Sequence, residues 1–315
     1  MTRRLIGVDV GGTKIAVAAL DGATLQEPLI EPTDTRGGEQ LVDQLVEAIG
    51  RAGEACAVGV AVPSVVDFAT GRVRSSVNVP LHDIPLREVL RERLGVPVYV
   101  DNDATCAALA EAYDEDGVLV ARHLVMFTVG TGVGGGIVIH GRVYRGATGA
   151  AAELGHTIVA GRLDHPPFSH RDRFPQPGSL ESLASGSALD ELGAGHGLPD
   201  KRTMEAAREG HAGACAAIEA LGRRLGIGIA NAINTFDPDV VVVGGGVSRA
   251  GELLLAPARE EARRFTLTGV GTRTEIRQAR HGSLAGVRGA ALLAGQEAEH
   301  EREVQQRRMT RATSA

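Results

Sequence analysis

A strand, a glycine turn and a second strand, found twice along the chain, constrain its fold more than any other feature. The first copy, Leu5 to Leu20, reads LIGVDVGGTKIAVAAL. Two apolar runs flank Gly11-Gly12-Thr13-Lys14, and glycine supplies the positive φ that a tight turn demands. Val, Ile and Ala dominate both arms, as expected of strands buried on both faces. Asp9 is the exception. A carboxylate in an apolar strand is costly to bury unless something pairs with it. A hydrated magnesium ion would serve, and the turn offers backbone N–H groups and a hydroxyl to phosphate oxygens. An edge hairpin whose Asp caps the turn is the plainer alternative.

The second copy, Leu124 to His140, reads LVMFTVGTGVGGGIVIH. Thr128-Val129-Gly130-Thr131-Gly132 lies over Asp9-Val10-Gly11-Gly12-Thr13 when the two are superposed. Internal similarity of this kind predicts two similar domains facing each other across a cleft, each giving one loop to the same polyphosphate. Residues 130–135 also match G-x-G-x-x-G. The dinucleotide fingerprint requires a helix to open directly after its glycines. Here β-branched, strand-like residues 137–144 follow, so a nicotinamide site is rejected.

With 315 residues the chain is long enough for two domains with cores of their own. A net charge of -6 and 43% hydrophobic content leave no basic face for nucleic acid. No apolar run approaches the ~20 residues that span a bilayer. Met1-Thr2-Arg3-Arg4 leads into the first strand without an apolar leader, which predicts a cytoplasmic protein. Cys56, Cys106 and Cys215 are far apart and form no C-x-x-C pair. They are expected to be reduced, mostly packed thiols.

Helical periodicity covers 39–53, 86–94, 104–113, 211–236, about 250–264, and 283 to about 296. Apolar strands are expected over 56–62, 96–100 and 240–243, with a return strand over 71–78 that carries Asn78 to its end. The strand at 96–100 delivers Asp101-Asn102-Asp103 to a helix N-terminus. Acids there sit where ligands bind in open α/β sheets. Asp103 can equally cap the helix. Gly244-Gly245-Gly246 follow a buried strand and let backbone approach a ligand closely, or simply form a tight turn. Ser179 is placed to cap a helix. The charged stretch from 297 onward predicts fraying, with 301–315 a disordered tail.

Taken in order, VDVGGTKIA (8–16), DNDATCAALAEA (101–112), TVGTGVGGGIV (128–138), ELGH (153–156), GSLESLASG (178–186), VVVGGGVS (241–248) and AGVRGAALLA (285–294) resemble the ROK family of repressors and sugar kinases. That family lies within the actin-like ATPase superfamily. The resemblance implies an α/β fold of two actin-like (ribonuclease H-like) domains facing a central cleft. A small N-terminal domain over 1–107 would be completed by a C-terminal helix over 283–300. A large domain would span 108–282.

The resemblance also implies ATP-dependent phosphorylation of a hexose, usually at its 6-hydroxyl, with Asp103 as general base. Asp9 would organise Mg2+ through water. Gly11, Gly12, Thr13 and Lys14, with Thr131 and Gly132, would cradle phosphates. Gly244, Gly245 and Gly246 would lie against the adenosine. Asn78, Asn102, Asp103, Glu153, His156 and Glu181 would bind sugar hydroxyls. A homodimer or dimer of dimers is implied. The phosphate donor is ATP or a polyphosphate. A sugar-binding sensor without activity is the alternative. DNA-binding repressors of the family carry a helix-turn-helix ahead of the first strand, for which Leu5 leaves no room.

Two departures stand out. The family's zinc motif, C-x-C-G-x-x-G-C-x-E, has lost its cysteines, and Asp172, Phe174 and Ser179 take their places. His156, the fourth family ligand, remains. No structural zinc is expected, although His165 and His170 could rebuild a site with His156 and Asp172. The second departure is Ser64, where the family usually has glycine near the sugar. Its hydroxyl points to a glucose relative such as an amino or N-acyl hexose.

Overall fold

The computed structural model describes residues 4–76, 78–161, 174–199 and 201–313. In chain order the elements are β1 (Arg4–Val10), β2 (Lys14–Asp21), β3 (Thr24–Leu25), β4 (Leu29–Pro32), α1 (Gly38–Ala52), β5 (Ala57–Val62), β6 (Ser64–Asp67), β7 (Arg72–Ser76), α2 (Leu86–Leu94), β8 (Val98–Asn102) and α3 (Asp103–Glu111). They continue with β9 (Leu124–Val129), β10 (Val133–Ile139), β11 (Arg142–Val143), α4 (Leu180–Ala184), α5 (Gly186–Ala194), α6 (Thr203–Arg208), α7 (Ala212–Phe236), β12 (Val240–Gly244), α8 (Glu252–Phe265), β13 (Glu275–Gln278) and α9 (Ala285–Thr313). These form two compact units. The first holds Met1–Val120, Arg142–Ala151 and Ser283–Ala315, and the second Ala121–Gly141 and Ala152–Gly282. The first unit thus runs past residue 107, through α3, and takes in a short segment after β10.

The first unit is built on a mixed sheet in the order β3-β2-β1-β5-β8, with β4 also paired to β2. β1 runs antiparallel to β2 and parallel to β5, and β5 is parallel to β8. Strand side chains alternate between faces. Ile6, Val8, Val10, Val58, Val60, Val62, Val98 and Val100 point to one face and pack with Leu41, Leu45, Leu86 and Leu90 of α1 and α2. The alternate positions Ala57, Ala61 and Tyr99 pack with Cys106 and Leu109 of α3 and Ala290, Leu293 and Ala294 of α9. Gly7 and Gly59 belong to this second face. A Cβ on either would collide with the α9 backbone, at Val287 O and Ala290 O, and a Cβ on Gly289 would collide with Cys106 O of α3. At these glycines the helix backbone lies directly against its neighbours, with no side chain between them.

The second unit repeats the plan. β10, β9, β12 and β13 lie side by side in that order, β9 antiparallel to β10 and parallel to β12. Val125, Phe127, Val241 and Val243 pack on Leu221, Leu225, Ile229 and Ile233 of α7. Each such Leu or Ile, fully buried, stabilises by about 1.5–3 kcal/mol relative to exposure.

Three expectations are corrected. α9 continues to Thr313 rather than fraying beyond about Gln296, and Glu301 on the extension accepts a hydrogen bond from Tyr99 Oη at 2.8 Å. β7 stops at Ser76, so Asn78 lies two residues past the strand. Cys106 is buried and Cys215 half-buried, as expected of most of the thiols, but Cys56 is exposed. No helix among the described residues is long and apolar enough to cross a membrane.

Candidate active site

The first unit gathers the predicted phosphate turn and the predicted base. The turn after β1 closes through Gly11 N–H donating to Lys14 O at 2.9 Å. Thr33, which the sequence reading missed, fastens it from β4's end: its hydroxyl donates to Gly11 O at 2.6 Å and its N–H to Thr13 O at 3.1 Å. Asn78 lies against Gly12, where a Cβ would sit 3.0 Å from the Asn78 side chain. Asp9 is on the α9 face of β1, and Gly286, in the first turn of α9, has no side chain to obstruct its carboxylate. A helix N-terminus favours such a negative charge. Burial nonetheless pushes the Asp9 pKa up to about 6, with the negative charge of Asp103 adding to the rise and Lys14 opposing it. Asp9 lies at the end of β1, just before the Gly11–Lys14 turn, with its carboxylate facing Gly286, an acid that could hold the Mg2+ the family implies.

The strand-to-helix junction is built from β8 and α3. The cap is Asn102, not Asp103: its Oδ1 accepts the Thr105 N–H at 3.1 Å, and its Nδ2 donates to Ser64 O at 3.4 Å. Asp103 is the first helical residue and accepts the Ala104 N–H at 2.8 Å. Asn102, expected to meet sugar, also serves the local structure through these two bonds. Ser64 is 6% exposed, and its hydroxyl is buried with no hydrogen-bond partner among the described residues. Unpartnered buried hydroxyls are uncommon, and each calls for an explanation.

In the second unit the other half of the predicted set converges on Val133. Glu181 Oε2 accepts the Val133 N–H at 2.8 Å, directly after the Thr131-Gly132 turn. A Cβ on Gly132 would meet this carboxylate, so a side chain there would have to push Glu181 aside. Gly155 presses the 3-10 turn Leu154–His156 against Val133 O, which brings Glu153 and His156 to the same strand. α5 supports the turn from its N-terminus: Gly186 N–H donates to Gly130 O at 2.7 Å and Ser187 Oγ to Thr131 O at 3.1 Å. Gly245, at φ 82°, lies against the β9 backbone, and the hydroxyl of Ser248 donates to its carbonyl at 2.8 Å.

The zinc motif does not fit a zinc ion. A phenyl ring at 174 has no donor, and Ser179 is fully buried with its hydroxyl capping α4 by accepting the Ser182 N–H. Phe174 instead packs on His156. Among the described residues no group of three or more His, Cys, Asp or Glu could hold a metal. His165, His170 and Asp172 lie outside the described residues.

Comparison with known proteins places this geometry. The ROK family profile matches residues 5–297. The chain belongs to the ROK family. It is 32% identical to a glucokinase from Halalkalibacterium halodurans, over 94% of this chain and 96% of that one. It is 34% identical to an N-acetyl-D-glucosamine kinase from Vibrio parahaemolyticus, over 91% of this chain and 98% of that one. The crystal structure of a ROK family glucokinase from Streptomyces griseus, in complex with glucose and AMPPNP, superposes with a TM-score of 0.75 at 33% identity, covering 93% of this chain and 99% of that one. The two mixed sheets of this ROK protein are those of the actin-like fold, and the chain is a glucokinase-like ROK protein with an ATP-binding family background.

Proposed function

We propose that this ROK protein is an ATP-dependent kinase that phosphorylates the 6-hydroxyl of glucose or of a related amino or N-acyl hexose. The observation that carries the reading is Asp9 on the α9 face of β1, a carboxylate facing Gly286 whose proton affinity is raised by burial first and by the charge of Asp103 second. Two carboxylates that raise each other's proton affinity are favourable together when a cation and a substrate proton separate their tasks.

In this reading Asp103 accepts the proton of the sugar hydroxyl as that oxygen attacks the γ-phosphorus and the bond to ADP breaks. General-base help of this kind is worth roughly 10²–10⁴ in rate. Asp9 would hold Mg2+ through water, and the ion would neutralise phosphate charge when bound. The Gly11-Gly12-Thr13-Lys14 turn and the Thr131-Gly132 turn each offer N–H and hydroxyl donors to phosphate oxygens. Gly244, Gly245 and Gly246 serve the adenosine. Asn78, Glu153, His156 and Glu181 offer donors and acceptors to sugar hydroxyls, as the alternating chemistry of a hexose requires. The unpaired Ser64 hydroxyl supports a sugar with a further hydrogen-bonding substituent, because a polar group left unmatched by the wrong substrate discriminates strongly. The working form is a homodimer, which light scattering tests; a monomer at assay concentration contradicts it.

The deciding experiment is ADP release with MgATP across glucose, mannose, fructose, glucosamine, 3-amino-3-deoxyglucose, N-acetylglucosamine and N-acetylmannosamine, with Asp103→Asn alongside. One preferred sugar and a silent variant uphold the reading. Sugar binding without turnover replaces it with a sensor.

A further inference from the structure

The mechanism above leaves one buried charge cluster unused. Asp101, the residue before Asn102, points to the α9 face of its strand and is 2% exposed. Arg145, in the short segment after β11, donates from Nε to Asp101 Oδ2 at 2.7 Å and from Nη2 to Glu297 Oε1 of α9 at 3.0 Å. Its guanidinium lies 3.4 Å from the centroid of the Phe68 ring. The other Asp101 oxygen, Oδ1, accepts the N–H of Asn102 at 2.9 Å. Asn102 in turn accepts the N–H of Thr105. A continuous run of hydrogen bonds therefore leads from Arg145 through Asp101 to the first turn of α3, where Asp103 stands.

The segment bearing Arg145 is itself fastened to the first unit. Ala151 N–H closes it on Arg145 O at 3.1 Å. Gly149, at φ 85°, lies so close to Val66 O that any Cβ would collide.

We propose that Arg145 is a positioning residue for the phosphoryl-transfer step: by clamping Asp101 it fixes the strand-to-helix junction that aims Asp103. The proposal rests on the reading of Asp103 as the base. A planar guanidinium with a forked contact fixes direction as well as charge, which a lysine does not. Stability alone is a poor reason for such a pair, since buried ion pairs are often replaceable by apolar groups without loss. Misplacing a reacting group by about 1 Å, by contrast, costs on the order of 10² in rate.

The test compares Arg145→Met and Arg145→Lys with Arg142→Met. Arg142 reaches Glu297 at 3.7 Å and has no contact with Asp101 among those described. Both Arg145 variants are expected to lower kcat about 10- to 100-fold with KM for sugar and nucleotide within about twofold, as for an interaction made only in the transition state. Arg142→Met is expected to keep kcat. Arg145→Lys retains a positive charge beside Asp101, so it keeps the test open if Arg145→Met fails to fold. Hydrogen exchange of the folded Arg145→Lys protein supplies a readout independent of turnover. The amides of Asn102 and Thr105 are expected to exchange about tenfold faster or more, with those of β1 and β5 unchanged. A wild-type kcat, a rise in KM alone, an equal loss in Arg142→Met, or unchanged exchange at Asn102 and Thr105 each overturns the proposal. If Asp103→Asn retains turnover, the base assignment has failed instead, and the exchange data decide whether Arg145 holds the junction.

Discussion

The ring of Phe174 stands edge-on to the imidazole of His156, with centroids 5.4 Å apart and planes at 80°. In the family's zinc motif these two positions are both ligands. Here an aromatic contact, worth about 0.5–1.5 kcal/mol beyond its area, takes the place of a metal bond. Purified, desalted protein is therefore expected to carry no stoichiometric zinc by plasma mass spectrometry, and EDTA should leave its melting temperature unchanged. A stoichiometric zinc, or a chelator-induced drop in melting temperature, contradicts this.

Asp9 makes a prediction with a definite sign. Its ordinary value of 3.8 is raised to about 6 by burial first and by Asp103 second. Between those two values the folded chain keeps a proton that the unfolded chain has lost. The contribution of this group to stability thus falls as pH rises from about 4 to 6, and the loss is complete above that range. Asp9→Asn removes the penalty. Urea unfolding of nucleotide-free protein is expected to show the variant more stable at pH 7.5 by on the order of 1–3 kcal/mol. The gap should close near pH 4. A gap that does not vary with pH means the burial argument is wrong.

Asn102 and Asp103 separate structure from chemistry at adjacent positions. Asn102→Ala removes the side chain that accepts the Thr105 N–H, and should cost about 1 kcal/mol of stability. Asp103→Asn should change stability by less than about 0.5 kcal/mol while abolishing turnover. Thermal melts beside the ADP-release assay check both. An Asp103→Asn protein that melts as low as Asn102→Ala would return the cap to Asp103.

Glu181 was read from sequence as a sugar ligand, yet one of its oxygens accepts the Val133 N–H. Glu181→Ala leaves that donor unmet beside the Thr131-Gly132 turn. We expect KM for ATP to rise about tenfold at saturating sugar, the scale of a lost charge-assisted hydrogen bond. Glu181→Gln should recover most of the loss, because an amide oxygen still accepts. An effect on the sugar KM alone would confine Glu181 to the sugar.

Much of the site could be read from residue types, and the gaps have physical causes. Asp9 stood out because a carboxylate in an apolar strand needs a partner. The same argument applies to Asp101 in VYVD, but its partner Arg145 is remote in sequence and nothing local announces it. Asp103 seemed a natural cap because Asp favours that position; Asn102 favours it equally, and only the backbone decides which residue is the last extended one. Glycines were read as turn formers. Gly7, Gly59 and Gly289 instead mark places where helix and sheet backbones touch, which no local pattern reveals. The tail past 296 was read as frayed for lack of large apolar residues. Its Glu, Gln, Arg and Ala residues are strong helix formers, and Glu301 ties the extension to Tyr99.

The seating of α9 on β1, β5 and α3 also sets an order of assembly. The helix is synthesised after the strands it rests on. At ~5–20 residues per second, the roughly 170 residues between α3 and α9 take on the order of ten to thirty seconds to synthesise. During that interval the first sheet has an open face lined by Gly7 and Gly59, and the second unit can already close on its own core. Asp9 therefore gains its final surroundings, Gly286 among them, only once α9 has been made.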